Sequence, residues 1–266
     1  MALATATMTN AGTAAGEAVP FPHAAPEGGG GGACRNCTAR GVSMCRDLDA
    51  AGLCRVAAAT TKLRFAAGHV LIHEGDAAAH LFTIVDGTVK LYKLMPDGRR
   101  QVTGFLFAGD MLGFAFSDTH AYSADAVTPV AVCCFPRGRL ERMLDELPGM
   151  ERRLLRMAAQ GLVAAQEQMM LLGRKTARER VASFLLMLAN HAEQTGRIGR
   201  SLPLPMTRAD IGDHLGLTTE TVSRTFTQLK SIGCIALRPG SRVEITDRAG
   251  LEGIAEGHPH GECAAA

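Results

Sequence analysis

Hydrophobic residues change their spacing along the chain, and each change predicts a different kind of structure. From residue 61 to residue 137 they form short runs, separated by glycine-containing turns such as Asp86-Gly87. Runs of this length and spacing are typical of an antiparallel β-barrel or jelly roll. The pattern predicts strands at residues 69–72, 81–85, 88–92, 101–106 and 130–135.

After residue 137 the hydrophobic residues recur every three or four positions, which indicates helices. A short stripe from Leu140 to Leu147 stops at Pro148, and a longer stripe continues to Gly173. Proline suits the first turn of a helix, so the long helix is predicted to begin at Pro148. Its apolar stripe is broader than a thin coiled-coil seam and needs a partner. We expect pairing with a second copy; packing onto its own domain is the alternative.

The most specific pattern lies near the C-terminus and predicts two short helices followed by a hairpin. Thr207 and Thr218 can each cap a helix, and Gly216 between them permits a left-handed turn. Two strands around Pro239-Gly240 then form a wing. Together these elements predict a winged helix-turn-helix. The buried faces of its helices are expected to carry Ile211, Leu215, Val222, Phe226 and Leu229.

Charge supports a polyanion as the partner of this C-terminal part. Residues 174–250 carry 12 Lys and Arg against 7 Asp and Glu, whereas the remainder carries 16 against 19. A basic third on an acidic body is typical of nucleic-acid binding. The outward face of the second helix carries polar side chains that read bases and phosphates: Thr219, Glu220, Ser223, Arg224 and Gln228.

Three cysteines crowd the N-terminal part as Cys34-Arg-Asn-Cys37, followed seven residues later by Cys45. The chain begins without a charged n-region and an apolar h-region, so we expect a cytoplasmic protein. No apolar run is long enough to span a bilayer, so no membrane association is expected. In a reducing cytosol, closely spaced thiols are typical of metal ligands or redox centres. Three thiols are one short of a closed zinc or iron–sulfur site.

The helix-turn-helix, the wing, the long helix and the glycine-punctuated strands resemble the CRP/FNR family of bacterial transcription regulators. The resemblance covers residues 34–250, and Glu220-Thr-Val-Ser223-Arg224 resembles the recognition helix of its FNR and FixK branches. It implies an α+β fold with an antiparallel β-roll of the cyclic-nucleotide-binding kind. The expected parts are a disordered tail (1–33), a cysteine-rich segment (34–58), the β-roll sensor domain (59–147), a dimerisation helix (148–173), the winged helix-turn-helix (174–250) and a flexible tail (251–266).

The resemblance also implies double-stranded DNA, a homodimer and RNA polymerase as partners. The expected DNA site is a palindrome of the TTGAT-N4-ATCAA type, with Arg224 and Glu220 reading a G·C pair and Ser223 a neighbouring T. Arginine bonds guanine bidentately and glutamate accepts from cytosine, which agrees with these roles. The turn at residues 96–99 is a candidate contact for the polymerase. The predicted DNA-binding residues are Thr207, Arg208, Thr219, Glu220, Ser223 and Arg224.

For the sensor, the resemblance implies an oxygen-labile [4Fe–4S] cluster on Cys34, Cys37, Cys45 and a cysteine from the β-roll. Val132-Cys133-Cys134-Phe135-Pro136 is similar to the family's Cys-x-x-Pro, which selects Cys133, with Cys134 as runner-up. Strand alternation sends these two to opposite faces, so only one can serve. Zinc and a redox disulfide are the rival chemistries. Three further thiols are assigned no ligand role: Cys54 and Cys234 are expected to be buried and Cys263 to lie in the tail.

The β-roll sequence lacks the residue patterns that cyclic-nucleotide binding, haem binding or metal-dependent catalysis would need. Residues 109–122 contain no arginine to hold a cyclic-nucleotide phosphate, and Asp118 would repel it. A lone barrel histidine is more often a surface residue or a hydrogen-bonded core residue than a haem ligand, and the local His/carboxylate group lacks the ordered pattern of a cupin-like metal enzyme. We therefore expect no cyclic nucleotide and no enzymatic activity. Glu167 on the long helix is the expected dimer switch, since two such carboxylates would repel across a two-fold seam.

Overall fold

The computed structural model describes residues 19–20, 32–114, 117–196 and 201–258. Two sheets pack face to face into a β-roll. One sheet has the order β1-β2-β9-β4-β7 and the other β3-β8-β5-β6. Their strands are β1 (Val19–Pro20), β2 (Thr61–Phe65), β3 (Val70–Ile72), β4 (His80–Asp86), β5 (Val89–Leu94), β6 (Arg100–Leu106), β7 (Met111–Leu112), β8 (Ser123–Ala126) and β9 (Val130–Pro136).

The strands predicted from short apolar runs are all present, as β3, β4, β5, β6 and β9. Alternate residues of these strands point inward and close the interior of the roll, as the pleat requires. The pair Val19–Pro20 lies along β2, so this part of the predicted disordered tail is placed against the roll. The other residues before 32 lie outside the described part. The buried interior consists of Ile72, Phe82, Ile84, Val89, Leu112, Ala124, Ala126, Val130, Val132 and Cys134.

A second buried layer lies on the outer face of β4 and β9, and we call it the cysteine layer. The N-terminal segment covers this face with helices α1 (Gly32–Arg35) and α2 (Ala50–Ala59) and the loop between them. Asp49 caps α2 by accepting the N–H of Gly52. The buried members of the layer are Cys34, Met44, Leu48, Leu53, Val56, Leu81, Met111, Phe135, Leu140, Met143 and Met150.

Two helices follow the roll: α3 (Arg137–Glu146) and α4 (Pro148–Arg174), which has Pro148 in its first turn as predicted. The start of α4 packs on the cysteine layer through Met150, so packing onto its own domain is correct for the first turns. Farther along, large apolar side chains are 53% to 65% exposed in the single chain. These exposed side chains are Leu155, Leu162, Val163, Met169 and Met170.

The C-terminal part is a winged helix-turn-helix. Its elements are α5 (Ala177–Gln194), β10 (Leu202–Pro203), α6 (Arg208–Leu215), α7 (Thr219–Ser231), β11 (Ile235–Arg238), β12 (Arg242–Ile245) and α8 (Arg248–Ala255). Thr207 and Thr218 cap α6 and α7, and Gly216 is left-handed with φ 62°. All the residues predicted for the buried faces are buried.

The flexible tail predicted from residue 251 is wrong at its beginning. Asp247 caps α8 by accepting the N–H of Gly250, and Leu251 and Ile254 are buried against the rest of the domain. Their spacing of three places both on one face of a helix, which a stretch of only eight residues signals weakly. The ordered domain therefore extends beyond residue 250.

The helix-turn-helix packs directly on the outer face of β5 and β6. Tyr92, Val102 and Phe105 of the roll belong to the same hydrophobic cluster as the core of the C-terminal part. Polar contacts surround this apolar contact, and they join α6 to the two strands. Nowhere in the described ranges is a helix both long and apolar enough to cross a bilayer.

Candidate metal centre and nucleic-acid interface

The adjacent residues Cys133 and Cys134 of β9 face opposite sides of their sheet. Cys134 pairs with Thr61 across the ladder and belongs to the interior of the roll. Cys133 faces outward and packs against the cysteine layer. This alternation is the one that the sequence predicts for consecutive strand residues.

Cys34, Cys37 and Cys45 are carried to the same side of the sheet by the N-terminal segment. Cys34 lies in α1 and is buried in the cysteine layer, and Cys45 packs against that layer. Cys37 follows one turn after Cys34, with its N–H directed at the Cys34 carbonyl at 3.4 Å. The structure therefore brings Cys133 together with the three N-terminal cysteines and leaves Cys134 apart.

The buried thiols raise one another's pKa. Burial raises the pKa of Cys133 to about 12, and repulsion from thiolates at Cys37, Cys34 and Cys45 adds to the increase. Burial likewise raises the pKa of Cys45 to about 12, reinforced by Cys34. Cys133 and Cys45 therefore stay protonated unless positive charge reaches them, and a metal group that binds thiolates supplies such charge.

Two cations oppose this rise. Lys62 stands directly opposite Cys133 across the β2–β9 ladder and lowers the pKa of Cys133 and of Cys34. Arg40 lowers that of Cys45. Neighbouring cations of this kind would stabilise several thiolates in a buried layer.

The four cysteines are donors of the type that both a zinc site and a [4Fe–4S] cluster use. Within the described residues, no three Cys, His, Asp or Glu side chains converge on a single-ion position. A tetrahedral zinc site with Zn–S bonds of about 2.3 Å needs sulfur atoms about 3.8 Å apart. A [4Fe–4S] cluster takes one thiolate at each of four irons, so it accepts thiols whose sulfur atoms are more widely spaced. Beside Cys133, the buried hydroxyl of Thr83 has no partner among the described residues, as expected at a site made for a further group.

The remaining thiols divide into two kinds. Cys54, expected to be buried, is exposed on α2, because its helix turns Leu53 and Val56 inward instead. Cys234 is buried in the C-terminal core as expected. Cys263 lies outside the described residues.

The stretch corresponding to a cyclic-nucleotide site is described except for residues 115 and 116. Asp110 is turned to the backbone, where its carboxylate accepts the Phe107 N–H at 2.8 Å, and burial raises its pKa. Asp118 is exposed. The absence of a bound cyclic nucleotide stays a prediction.

Helix α7 presents the residues predicted to read DNA. Thr219, Glu220, Ser223 and Arg224 are exposed, while Val222 and Phe226 on the opposite face are buried. Arg224 forms an ion pair with Glu220 one turn earlier, and Ser223 donates to the Thr219 carbonyl at 2.9 Å. The exposed face is therefore continuous, polar and free of bulky apolar groups.

Two predicted DNA-binding residues at the start of α6 have structural contacts, of which the sequence indicated only the helix cap at Thr207. Thr207 forms a capping box with Asp210, so its hydroxyl is already hydrogen-bonded within the helix. The Arg208 guanidinium lies 3.5 Å from the centre of the Phe226 ring, and burial lowers its pKa. Stacking of an arginine on an aromatic face holds it at the junction of the two helices.

Sequence reasoning missed Arg180, which lies at the junction of α4 and the helix-turn-helix. Its guanidinium donates to the carbonyls of Lys175, Leu172 and Leu215 at 2.8, 2.9 and 2.7 Å. These carbonyls belong to the end of α4 and the turn before Gly216. Arg180 therefore fixes the helix-turn-helix to the long helix. An arginine on an amphipathic helix gives no sequence signal for such a role.

Comparison with known proteins identifies both halves of the chain. Residues 62–146 match the model of a cyclic nucleotide-binding domain and residues 179–254 that of a Crp-like helix-turn-helix domain. The nitrogen fixation regulation protein FixK of Bradyrhizobium diazoefficiens is 40% identical over 222 residues, which are 84% of this chain and 93% of that protein. The transcriptional activator protein FnrL of Cereibacter sphaeroides is 38% identical over 224 residues, 82% of this chain and 90% of that protein.

Among solved structures, FixK2 from Bradyrhizobium japonicum has a TM-score of 0.69 and 34% sequence identity, covering 78% of this chain and 99% of that one. The predicted fold class is thereby confirmed. The relatives are regulators of transcription, and the exposed recognition helix described above fits that activity. The chain belongs to the FNR/FixK branch of the CRP/FNR family and is a DNA-binding transcription regulator.

Proposed function

We propose that this regulator responds to oxygen or redox state and controls anaerobic or microaerobic genes. Its sensor would be a [4Fe–4S] cluster held by Cys34, Cys37, Cys45 and Cys133. The observation that carries the proposal is the meeting of Cys133, from the β-roll, with the three N-terminal cysteines. A thiol nearly ninety residues downstream is brought to a segment that is otherwise one ligand short.

The N-terminal segment that carries the cysteines contacts the long helix α4 directly. Arg153 of α4 donates to the Val42 carbonyl at 2.9 Å, in the loop between Cys37 and Cys45. Arg156, one turn later, lies 3.7 Å from Asp47. The order of this loop therefore affects the first half of α4. When bound, the cluster would supply the four-point attachment that fixes the loop, and oxygen-dependent loss would release it.

Dimerisation through α4 is the proposed consequence. The exposed apolar side chains of α4 are too large and too continuous for an isolated surface helix. Glu167 is exposed among them, beside Val163 and Met170. Two copies of Glu167 brought together would repel and lose hydration, which keeps the dimer marginal. A fixed N-terminal layer would then shift the balance towards the dimer.

A two-fold dimer would present two copies of α7 to successive major grooves. Arg224 and Glu220 would read the G·C pair of a TTGAT-N4-ATCAA-like palindrome, with Ser223 at a neighbouring T. The turn between β5 and β6 exposes Leu94 and Met95 and is the proposed contact for RNA polymerase.

The deciding measurement is iron and sulfide content together with oligomeric state, before and after exposure to air. Protein purified without oxygen should contain about four irons and four sulfides per chain, absorb visible light and be dimeric. Air should remove the absorbance and the dimer together. A colourless protein with stoichiometric zinc would reject the cluster, and air-induced disulfides without iron would point to a thiol switch.

Cys133→Ser and Cys134→Ser form a matched pair for the fourth ligand. The two residues are adjacent on β9 but face opposite sides. Cys133→Ser should abolish the visible absorbance, whereas Cys134→Ser should retain it with some loss of stability. Retention in Cys133→Ser would show that the fourth ligand lies elsewhere.

A further inference from the structure

Thr83 lies in the middle of β4, between the β-roll and the cysteine layer. Its ladder partners are Cys133 on β9 and Met111 on β7. Residues directly opposite on antiparallel strands have Cβ atoms about 4.5–5.5 Å apart and point to the same face. Leu81, two residues earlier on that face, belongs to the cysteine layer. Thr83 therefore faces the same space as the Cys133 thiol.

The hydroxyl of Thr83 is buried without a hydrogen bond. The residue is 4% exposed, and Oγ1 has no hydrogen-bond partner within the described residues. A buried hydroxyl in this condition costs free energy compared with a valine of similar shape. A partner that is not part of the protein chain would remove this cost.

Sulfur is the acceptor that the surroundings offer. Cys133 is the ladder neighbour of Thr83 on one side and Met111 on the other. Leu81 precedes Thr83 by two residues on the same face. A protonated thiol accepts hydrogen bonds weakly, whereas a metal-bound thiolate or a cluster sulfide is a charged acceptor and binds a hydroxyl more strongly. The hydroxyl would thus gain its partner when a metal group is bound by Cys133.

We propose that Thr83 is a positioning residue that donates its hydroxyl to the sulfur of Cys133, or to an adjacent sulfide, in the cluster-bound state. The inference rests on the proposed function, because it assumes a thiolate-bound metal group. Hydrogen bonds to the sulfurs stabilise the more negative, reduced state and so raise the reduction potential of an iron–sulfur cluster. Thr83 would thereby set how readily the sensor accepts an electron.

The test compares Thr83→Val, which deletes the donor, with Thr83→Ser, which keeps it. The reconstituted full-length proteins are titrated anaerobically with dithionite and followed by visible absorbance. Thr83→Val should shift the one-electron equilibrium roughly tenfold towards the oxidised cluster, a potential lower by about 60 mV. Thr83→Ser should stay near the parent. Thr88→Val, a buried threonine that is not part of the cysteine layer, controls for the substitution itself.

An unchanged potential in Thr83→Val, or the same shift in Thr83→Ser, would overturn the role of Thr83 while leaving the cluster in place. If the parent assembles no cluster, the proposed function fails, and Thr83 is judged on the metal-free protein. There, Thr83→Val should unfold at a higher temperature than the parent, because it removes a buried hydroxyl that has no hydrogen-bond partner among the described residues. An equal or lower unfolding temperature would show that the hydroxyl already has a partner in the chain and would reject the role of Thr83.

Discussion

At the scale of single residues, Arg224 forms an ion pair within the protein in the absence of DNA. Its guanidinium pairs with Glu220, and both side chains are largely exposed. An exposed ion pair of this kind contributes little to stability. Replacing it with a contact between Arg224 and a base therefore costs little free energy. The pair also holds the arginine extended along the outward face of α7. Recognition can therefore begin from a partly ordered side chain.

Arg224→Ala should reduce affinity for the palindrome by roughly 1–3 kcal/mol and relax discrimination at the guanine it reads. Competition binding with single-base variants of the site measures both effects. Lys230→Ala, exposed at the last turn of the same helix, is the control and should weaken binding equally for all sequences. An unchanged specificity profile in Arg224→Ala would reject its role.

Alternation along a strand is a local property, so the sequence alone correctly places Cys133 and Cys134 on opposite faces of their sheet. Burial is not local, and this is why Cys54 is expected to be buried but is exposed. The isolated hydroxyl of Thr83 and the stacking of Arg208 on Phe226 depend on neighbours far away in sequence. Ligand candidates can thus be predicted from spacing, but their surroundings cannot.

At the scale of elements, helix α4 has two different halves. Its first turns are anchored to the cysteine layer by Met150 and Arg153, and its later turns expose large apolar side chains. In the proposed mechanism, the first half would respond to the order of the N-terminal segment and the second half would pair with a second copy. A rigid helix can transmit order from one half to the other.

Glu167→Ala should strengthen dimerisation in air, on the order of tenfold, because it removes a repelling pair of carboxylates from the seam. Analytical ultracentrifugation and DNA binding under air provide the measurement. Gln166→Ala changes an exposed neighbour that carries no charge and should behave as the parent. If Glu167→Ala remains as monomeric in air as the parent, the switch lies elsewhere.

Strong periodicity makes α3, α4, α6 and α7 predictable, since each carries a stripe of large apolar residues. The short strands β7 and β8 and the helix α8 are not predicted. Strand β8 has the sequence Ser-Ala-Asp-Ala, whose small side chains give no hydrophobic alternation. Such elements are specified by the sheet or domain that receives them rather than by their own residues.

At the scale of the whole molecule, the two halves are joined by a charged contact around Asp210. Its carboxylate is 2.8 Å from the Lys90 ammonium and 3.0 Å from the Arg100 guanidinium. Burial alone would raise the pKa of Asp210, but hydrogen bonds from Lys90 and Thr207 outweigh burial and lower it. The residue that completes the capping box of the first helix of the DNA-binding motif is thereby held by the β-roll.

His214 makes the same contact sensitive to acid. Its Nδ1–H donates to the Val102 carbonyl at 3.1 Å, and burial lowers its pKa from 6.5. Because the unfolded chain then binds the proton more readily, stability is present at neutral pH and is lost as pH falls below 6.5. The loss attributable to this residue is at most about 1.4 kcal/mol per pH unit.

The corresponding experiment is thermal unfolding between pH 7.5 and pH 5.5. His214→Gln retains a donor for the Val102 carbonyl but does not titrate, so its Tm should fall less on acidification than that of the parent. Equal losses in the two proteins would assign the acid sensitivity to other groups.

No local pattern could have predicted this contact, because its partners are more than one hundred residues apart in the chain. The sequence alone locates the two motifs and the helix between them. It contains no signal for how the second half lies on the first. That arrangement depends on lysine, arginine and aspartate side chains that the sequence alone does not distinguish from ordinary surface residues.

The shared hydrophobic cluster between the β-roll and the C-terminal part has a practical consequence for dividing the chain. A fragment starting at Arg174 would expose the ring of Phe184 where the roll now covers it through Phe105. The complementary fragment would expose Tyr92 and Val102. Each piece would tend to aggregate, so the DNA-binding half is best studied within the intact chain, or with its uncovered face made polar.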